Sequence, residues 1–415
     1  MKIDCHCHVF NNNCVPVKGL MQSRFGIAIG SRLTDRISAS QEDLTIPYGD
    51  ELRGYLTLDL ASLRDSLSNP VEKDSIRYLL LHPDDFVRFA LIGGKSMADI
   101  VAGMMKKAEK IDIWVPLMMD LEKGFEGSAS SISFDEQKRI MMDLTATARG
   151  RIWPFFAYDP RSRPVDAVKN AIEREGFVGV KLYPPLGFKP CDNEDSQVND
   201  RLESLYQYCV SGRNEPIPIT AHCSWSDGVF SNRAVPGISA YKEYYRDMAH
   251  PSHWEKVLTR YPSLKLNLAH FGGAGEWEQR ALGGPSAAVD KNWADTILRL
   301  MREHENVYTD LAFHGILTTK NGDAYRRALL EKMVGVEKRV LLGSDWYMSA
   351  IQCDLADYWR NFETLFPDLF DSMTGPNALR FLRSEASEAF LPAFLSSRGG
   401  YDGQFVDLFH PKLTG

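Results

Sequence analysis

Short apolar segments alternate with longer amphipathic segments along most of the chain. Eight of the apolar segments have the length and the β-branched and aromatic content of strands. They are residues 2–10, 113–119, 152–157, 178–183, 217–223, 264–270, 307–311 and 340–344. Apolar side chains recur at helical spacing between strands, for example over residues 164–175, 292–305 and 324–334. Repeated strand–helix units predict an α/β protein with a parallel sheet, and eight strands close a (β/α)₈ TIM barrel.

The regular spacing is interrupted between the first and the second predicted strand. Residues 11–108 form a long connection, in which helices are predicted around 75–92 and 95–110. Connections of this length are usually functional lids or added subdomains. We therefore predict a barrel over residues 1–383, with 11–108 as a mainly helical insertion that serves as lid or interface, and a C-terminal extension over 384–415.

The composition and charge of the chain exclude several classes of protein. Its 415 residues include 48 Lys+Arg and 55 Asp+Glu, a net charge of −7, and no clustered basic run that would suggest nucleic-acid binding. No segment approaches the ~18 apolar residues of a membrane span, and no secretory signal is visible. The seven cysteines are scattered, unlike a disulfide framework. These features predict a cytoplasmic protein without nucleic-acid or membrane partners.

Several predicted strands end in residues that can bind a metal ion, and barrel active sites lie at the C-terminal ends of strands. In the first strand, alternation places Asp4, His6 and His8 on one face, so that two imidazoles can bind the same ion. The fifth strand directs His222 inward by its parity. The eighth strand ends in Asp345, although an aspartate there could instead cap the following helix.

The remaining strand ends are less regular. Strict alternation groups His270 with the apolar side chains of the sixth strand, so an inward orientation requires the strand to end or twist near Leu268. Lys181 points inward from the fourth strand, and a buried ammonium needs a partner. That partner could be a carboxylate or the substrate, or Lys181 could become a metal-bridging carbamate. Asp310 ends the seventh strand, where a structural role is expected, and His314 follows it.

The strand-end motifs occur in a recognisable order. They are D-x-H-x-H in the first strand, G-V-K-L-Y-P-P in the fourth, T-A-H in the fifth, L-A-H-F-G-G in the sixth and G-S-D-W in the eighth. Together they resemble the metal-dependent amidohydrolase superfamily. The residues of these motifs are most similar to those of the amidohydrolase-2 branch, which includes enzymes like aminocarboxymuconate-semialdehyde decarboxylase. The segment that begins Gly375-Pro376-Asn377 looks like the start of the closing helix in that branch.

The resemblance implies roles for individual residues. His6, His8 and Asp345 would bind a divalent metal ion, and His222 would be a further ligand of this ion or a ligand of a second one. His270 would be an acid/base near a single ion, or a ligand in a two-metal centre. The ligands suit Zn²⁺ first, and Mn²⁺, Fe²⁺ or Ni²⁺ are alternatives.

The segment around Lys181 also resembles the fourth strand of dihydroorotases, in which the equivalent lysine is a carbamate that bridges two metals. Members of the amidohydrolase-2 branch often have this lysine without a clear second ion. The sequence therefore leaves the metal count at one or two ions, with Lys181 a ligand only if it is carboxylated.

Two chemical activities on a small-molecule substrate follow from this resemblance. The first is hydrolysis of a C–N or C–O bond in an amide, lactone or ester, with Asp345 and His270 as catalytic residues. The alternative is non-oxidative decarboxylation or hydration of a small unsaturated or aromatic carboxylic acid. A non-catalytic barrel would be expected to have lost a metal ligand, and none is evidently lost.

Residues on the loops beside the predicted ligands could contact the substrate. Tyr183 and Trp346 suit a flat organic molecule, and Arg161 and Arg233 could bind a carboxylate. Aromatic packing at a barrel mouth and ordinary surface cations explain these four residues as well. Barrels of this kind often pair, so a homodimer is a further expectation.

Overall fold

The computed structural model describes residues 1–20, 83–226, 228–238, 241–281, 293–314, 322–402 and 404. All eight predicted strands are present, most of them shorter than the apolar segments that predicted them. They are β1 (Ile3–Cys7), β2 (Ile113–Pro116), β3 (Phe155–Ala157), β4 (Gly179–Leu182), β5 (Ile219–Ser224), β6 (Leu266–Gly272), β7 (Val307–Asp310) and β8 (Val340–Leu341). Strand β6 begins and ends two residues later than predicted, which affects the position of His270.

The strands form a closed parallel barrel. Strands β3 to β8 pair in chain order, and β1 pairs with β2. A parallel bridge between Trp114 and Ile152 joins β2 to the segment that leads into β3. On the other side, the backbone N–H of Cys5 in β1 donates to the carbonyl of Leu342 at 3.1 Å. These contacts confirm the predicted α/β TIM barrel.

Helices surround the barrel and connect its strands. In the described part of the chain they are α1 (Pro83–Gly93), α2 (Met97–Lys107), α3 (Phe134–Thr147), α4 (Asp166–Arg174), α5 (Ser196–Val210), α6 (Tyr241–Asp247), α7 (Glu255–Arg260), α8 (Ala274–Ala281), α9 (Trp293–Glu303), α10 (Gly322–Met333), α11 (Leu355–Leu365), α12 (Phe370–Thr374), α13 (Pro376–Leu382) and α14 (Glu385–Ser397). The predicted helices over 164–175, 292–305 and 324–334 correspond to α4, α9 and α10. None of the described helices has the length and apolar character needed to cross a bilayer.

The structure describes both ends of the insertion between β1 and β2. The two predicted helices appear as α1 and α2, whereas residues 21–82, including the predicted start of the first helix, lie outside the described residues. A role for the insertion as lid or dimer interface stays a prediction.

Helix α1 of the insertion packs on the loop that follows β8. The ring of Phe89 stacks on Tyr347 with their centroids 5.3 Å apart. The guanidinium of Arg88 donates to the carbonyl of Ala350 at 3.0 Å. The described end of the insertion therefore supports the loop that carries Asp345.

Helix α14 makes the first part of the predicted C-terminal extension an integral part of the core. It packs across α3 and α4. Its buried side chains Phe394 and Leu395 belong to the same apolar cluster as Ile3 of β1 and Trp153. Helix α14 should therefore contribute to the stability of the barrel.

Replacing Leu395 with alanine is expected to lower the free energy of unfolding by about 2–5 kcal/mol, because the truncation leaves a cavity among packed side chains. Chemical denaturation measures the change. Val334→Ala is the matched control, because Val334 is 66% exposed and its loss should change stability by less than ~0.5 kcal/mol. Equal effects of the two substitutions would show that α14 adds little to the core.

Candidate metal centre

The C-terminal ends of β1 and β8 bring His6, His8 and Asp345 together. The Oδ1 atom of Asp345 lies 3.3 Å from Nε2 of His6 and 3.0 Å from Nε2 of His8. All three residues are buried. Three ligand atoms predicted from separate motifs therefore converge on one point.

Hydrogen bonds fix which nitrogen of each imidazole faces Asp345. The Nδ1 atom of His8 lies 2.8 Å from the carbonyl oxygen of Leu117, which can only accept, so Nδ1 carries the proton. The Nδ1 atom of His6 donates to Oδ2 of Asp310 at 3.1 Å. Burial and the nearby charge of Lys181 lower the pKa of His6 to about 3, so its ring is neutral at pH 7. The Nε2 atom of His6 therefore presents a lone pair to Asp345, and Nε2 is the nitrogen of His8 that faces the same carboxylate oxygen.

This donor set fits a divalent metal ion. Two nitrogen lone pairs and a carboxylate oxygen repel one another at such distances unless a cation lies between them. The Nε2 atom of His6 and Oδ1 of Asp345 are buried and have no hydrogen-bond donor among the described residues. Mixed imidazole and carboxylate ligands are typical of transition-metal sites.

The turn after β8 explains the G-S-D-W motif. Asp345 adopts a left-handed conformation with φ of 53°. The hydroxyl of Ser344 accepts from the backbone N–H of Trp346 at 3.0 Å and so closes the turn around Asp345. Gly343 lies so close to β1 that a Cβ atom there would come within 2.4 Å of the Cβ of His6. Close packing thus accounts for the glycine, hydrogen bonding of the hydroxyl accounts for the serine, and the convergence with His6 and His8 accounts for the aspartate.

Asp310 orients two of the histidines, a role that the sequence did not identify. Its carboxylate accepts from Nδ1 of His6 at 3.1 Å, from the backbone N–H of His270 at 2.9 Å and from Asn267 at 2.7 Å. Burial alone would raise the pKa of Asp310, but His6 and His270 lower it well below the usual value. The charged carboxylate therefore fixes the ring of His6 and the backbone of His270. The feature of the sequence that could have indicated this role is the position of Asp310 at the end of a buried strand.

Replacing Asp310 with asparagine is expected to lower metal affinity by about 10–100-fold, because a carboxylate that orients a ligand histidine also raises its basicity. Competition with a chelating dye measures the affinity. Asp166→Asn is the control, because Asp166 is 79% exposed on α4 and remote from the centre. Unchanged affinity in Asp310→Asn would mean that His6 holds its orientation without the carboxylate.

A bulge in β6 turns His270 towards the centre. His222 of β5 pairs with Ala269, and Ser224 pairs with Gly272, so β6 contains one extra residue between these pairs. His270 has φ of 68°, and its ring centroid lies 4.7 Å from that of His6. The interruption that an inward orientation required is therefore present, and strict alternation gave the wrong face.

His222 lies beside His270 and Tyr183. Its ring stacks on Tyr183 at 4.3 Å and meets the ring of His270 at 4.7 Å. Gly228 passes so close that a Cβ atom there would come within 2.6 Å of Nε2 of His222. Among the described residues, His222 is absent from the groups whose ligand atoms lie within 4.8 Å of one another. Its role as a metal ligand stays a prediction.

Lys181 is buried beside the centre. It is 2% exposed, and its Nζ atom has no hydrogen-bond partner within the described ranges. Burial lowers the pKa of Lys181 to about 8, although Asp310 and Asp345 oppose the shift. Lys181 and Tyr183 line a cavity together with Met118 and Phe188. A direct carboxylate partner, one of the three alternatives for this lysine, is therefore absent from the described part of the chain.

The structure separates the four predicted substrate contacts. Tyr183 lines the cavity. Arg161 does not extend into it as a free cation, because its guanidinium pairs with Asp159 and donates to the carbonyl of Leu186 at 2.7 Å. Arg233 is exposed, and Trp346 is buried in the core. Met118 and Phe188 also line the cavity, and the strand-end motifs did not indicate them.

A family model described as Amidohydrolase matches residues 117–384, more than half of the chain. The chain belongs to the amidohydrolase family. This result confirms the resemblance seen in the motifs. With the converging ligand atoms, it identifies the protein as a metal-dependent enzyme of that family.

Solved structures with similar folds include other amidohydrolases. An uncharacterised TIM-barrel protein from Bordetella bronchiseptica is 16% identical, with 73% of this chain and 92% of that chain covered and a TM-score of 0.46. A 5-carboxyvanillate decarboxylase from Novosphingobium aromaticivorans, complexed with manganese, is 14% identical with 80% and 92% covered and a TM-score of 0.48. An amidohydrolase from Burkholderia multivorans with bound zinc is 13% identical with 72% and 93% covered and a TM-score of 0.44. No curated protein sequence matches the chain.

Proposed function

We propose that this amidohydrolase hydrolyses a C–N or C–O bond in a small organic substrate such as an amide, a lactone or an ester. The observation that carries the proposal is the approach of Asp345 Oδ1 to within 3.3 Å and 3.0 Å of the Nε2 atoms of His6 and His8. These three residues would hold a divalent ion, Zn²⁺ in the first place, which would act as a Lewis acid on a carbonyl group and would acidify water.

The residues of the chain perform the proton transfers. Asp345 accepts the proton of the attacking water on a carboxylate oxygen and passes it to the leaving nitrogen or oxygen. His270 presents Nε2 to the substrate, because its Nδ1 lies 3.1 Å from the carbonyl of Ala312 and donates to it. From that atom it acts as an acid/base beside the substrate oxygen that gains negative charge.

A single metal ion is sufficient for this arrangement. The second group of close ligand atoms consists of His6, His270 and Asp310. Within it, Asp310 accepts hydrogen bonds from the ring of His6 and from the backbone of His270. Those contacts orient ligands around one ion. Lys181 then stays uncarboxylated and does not bridge two metals.

Decarboxylation or hydration of a carboxylic acid is the second candidate, and the environment of Lys181 favours it. Its buried Nζ atom lacks a partner within the described ranges and lies beside a cavity lined by Tyr183, Phe188 and two carboxylates, Asp120 and Asp159, each of which pairs with an arginine. A carboxylate on a flat apolar substrate would satisfy the ammonium through a charge-assisted hydrogen bond.

Isotope labelling separates the two candidates. The metal-loaded protein is incubated in H₂¹⁸O with amides, lactones and esters, and in D₂O with unsaturated and aromatic acids. Hydrolysis places one ¹⁸O in the product, whereas decarboxylation releases CO₂ and places deuterium on the carbon that lost it. Labelled hydrolysis product without CO₂ is the expected result. CO₂ release alone would replace hydrolysis by the second candidate, and no turnover of any substrate would contradict both.

A further inference from the structure

His314 is fully buried after β7, and the proposed proton transfers do not use it. Its Nε2 atom lies 2.8 Å from the carbonyl oxygen of His270. Its Nδ1 atom lies 2.6 Å from the hydroxyl oxygen of Tyr325 in α10. The three residues therefore form a hydrogen-bonded series that ends on the backbone of a residue in the metal centre.

The direction of these bonds follows from the chemistry of the groups. The carbonyl of His270 can only accept, so Nε2 of His314 carries a proton and donates it. In the neutral ring Nδ1 then has a lone pair, which accepts the O–H of Tyr325. The carbonyl of His270 thus selects the tautomer of His314, because the hydrogen bond at one ring nitrogen determines the role of the other. Tyr325 donates to the second nitrogen and so holds the ring of His314 in this orientation.

His270 needs such support because its backbone is unusual. Its φ of 68° lies in the left-handed region, which residues with side chains rarely adopt and which persists only where surrounding contacts enforce it. Asp310 accepts from the backbone N–H of His270 at 2.9 Å. On the other side, the carbonyl of His270 accepts from Nε2 of His314 at 2.8 Å and from the backbone N–H of Gly273 at 2.7 Å. Asp310 and His314 thus each add a side-chain contact to one of the two peptide groups of the residue.

We propose that His314 is a positioning residue that holds His270 in its left-handed conformation, and that Tyr325 holds the ring of His314 in the orientation that this contact requires. The effect on catalysis rests on the proposed function of His270. The effect on the conformation of β6 does not rest on it, so the two parts can be tested separately.

Hydrogen exchange in the metal-loaded protein tests the conformation. His314→Leu removes the side-chain donor to the carbonyl of His270 and should make the amide of His270, which bonds to Asp310, exchange at least ~10-fold faster. His314→Gln keeps an N–H at similar reach and should stay close to the wild type, while Tyr325→Phe should lie between them. His253→Leu is the matched control, because His253 Nε2 lies 2.9 Å from the carbonyl of Asp247 away from the centre.

Unchanged exchange of the His270 amide in a folded His314→Leu protein would overturn the proposal. If His314→Leu does not fold, the exchange rates of the His270 amide in the wild type, His314→Gln and Tyr325→Phe test the proposal instead. Equal exchange in Tyr325→Phe and the wild type would then contradict the role of Tyr325. This arm requires no substrate, so it stands even if the proposed activity is absent.

A double-mutant cycle on the substrate found by isotope labelling tests the catalytic consequence. His314→Leu should lower kcat by about 10–100-fold, the usual effect of losing an outer partner, with KM nearly unchanged. In a His270→Ala background the same substitution should change kcat less than twofold, because the residue that it positions is gone. An equal loss in both backgrounds would mean that His314 acts on the fold in general and would overturn its role towards His270.

Discussion

Asp345→Asn is expected to lower kcat by about 10²–10⁴-fold, the contribution typical of a general acid/base. The amide keeps the size of the side chain and a carbonyl oxygen that can face the metal ion, but it cannot accept and release the proton of water. The measurement is kcat at saturating metal, with metal content determined on the same sample. The loss should therefore appear as a slower reaction and not as an empty site.

Asp354→Asn provides the matched control for this substitution. Asp354 follows in the same loop, and its carboxylate caps α11 by accepting from the N–H of Ala356. Asparagine caps helices about as well as aspartate, so activity should be unchanged. Retained turnover in metal-loaded Asp345→Asn would remove Asp345 from the proton transfer and leave it only as a ligand.

Loss of metal is the expected result of His8→Ala. The Nε2 atom of His8 is one of three converging ligand atoms, and its substitution leaves only His6 and Asp345 to bind the ion. Affinity should fall by more than ~100-fold, since losing even an outer partner of a ligand lowers it by 10–100-fold. Metal content after dialysis against a weak chelator, together with kcat at low and high added metal, measures the effect.

His304→Ala is the control for His8→Ala, because His304 lies at the end of α9, away from the centre. It should retain wild-type metal content. If His8→Ala retained its metal as well, the ion would have to lie elsewhere. The group formed by His6, His270 and Asp310 would then be the first place to look.

The sequence predicted the barrel and the convergence of three side chains because both depend on local patterns. Apolar segments separated by amphipathic helices define a parallel barrel, and parallel strands bring their C-terminal ends to one edge. His6, His8 and Asp345 lie at such ends, so their meeting required no knowledge of the loops. Alternation along β1 also indicated correctly that both histidines face the same side.

The orientation of His270 and the role of Asp310 were harder to predict because they depend on contacts between strands. The bulge that turns His270 inward appears only in the register of β6 against β5. Asp310 acquires its role from donors on β1 and β6, which lie far from it in the chain. The pairing of Arg161 with Asp159 is local, but only the fold shows that it withdraws the guanidinium from the cavity.

The contacts between α1 and the loop after β8 bear on how this enzyme can be re-engineered. Loops of TIM barrels are often exchanged as independent cassettes, since the scaffold and the catalytic face are built from separate parts. Here Phe89 and Arg88 pack on Tyr347 and Ala350, a few residues beyond Asp345. If the loop after β8 were transferred to another barrel, α1 would have to be transferred with it to preserve these contacts.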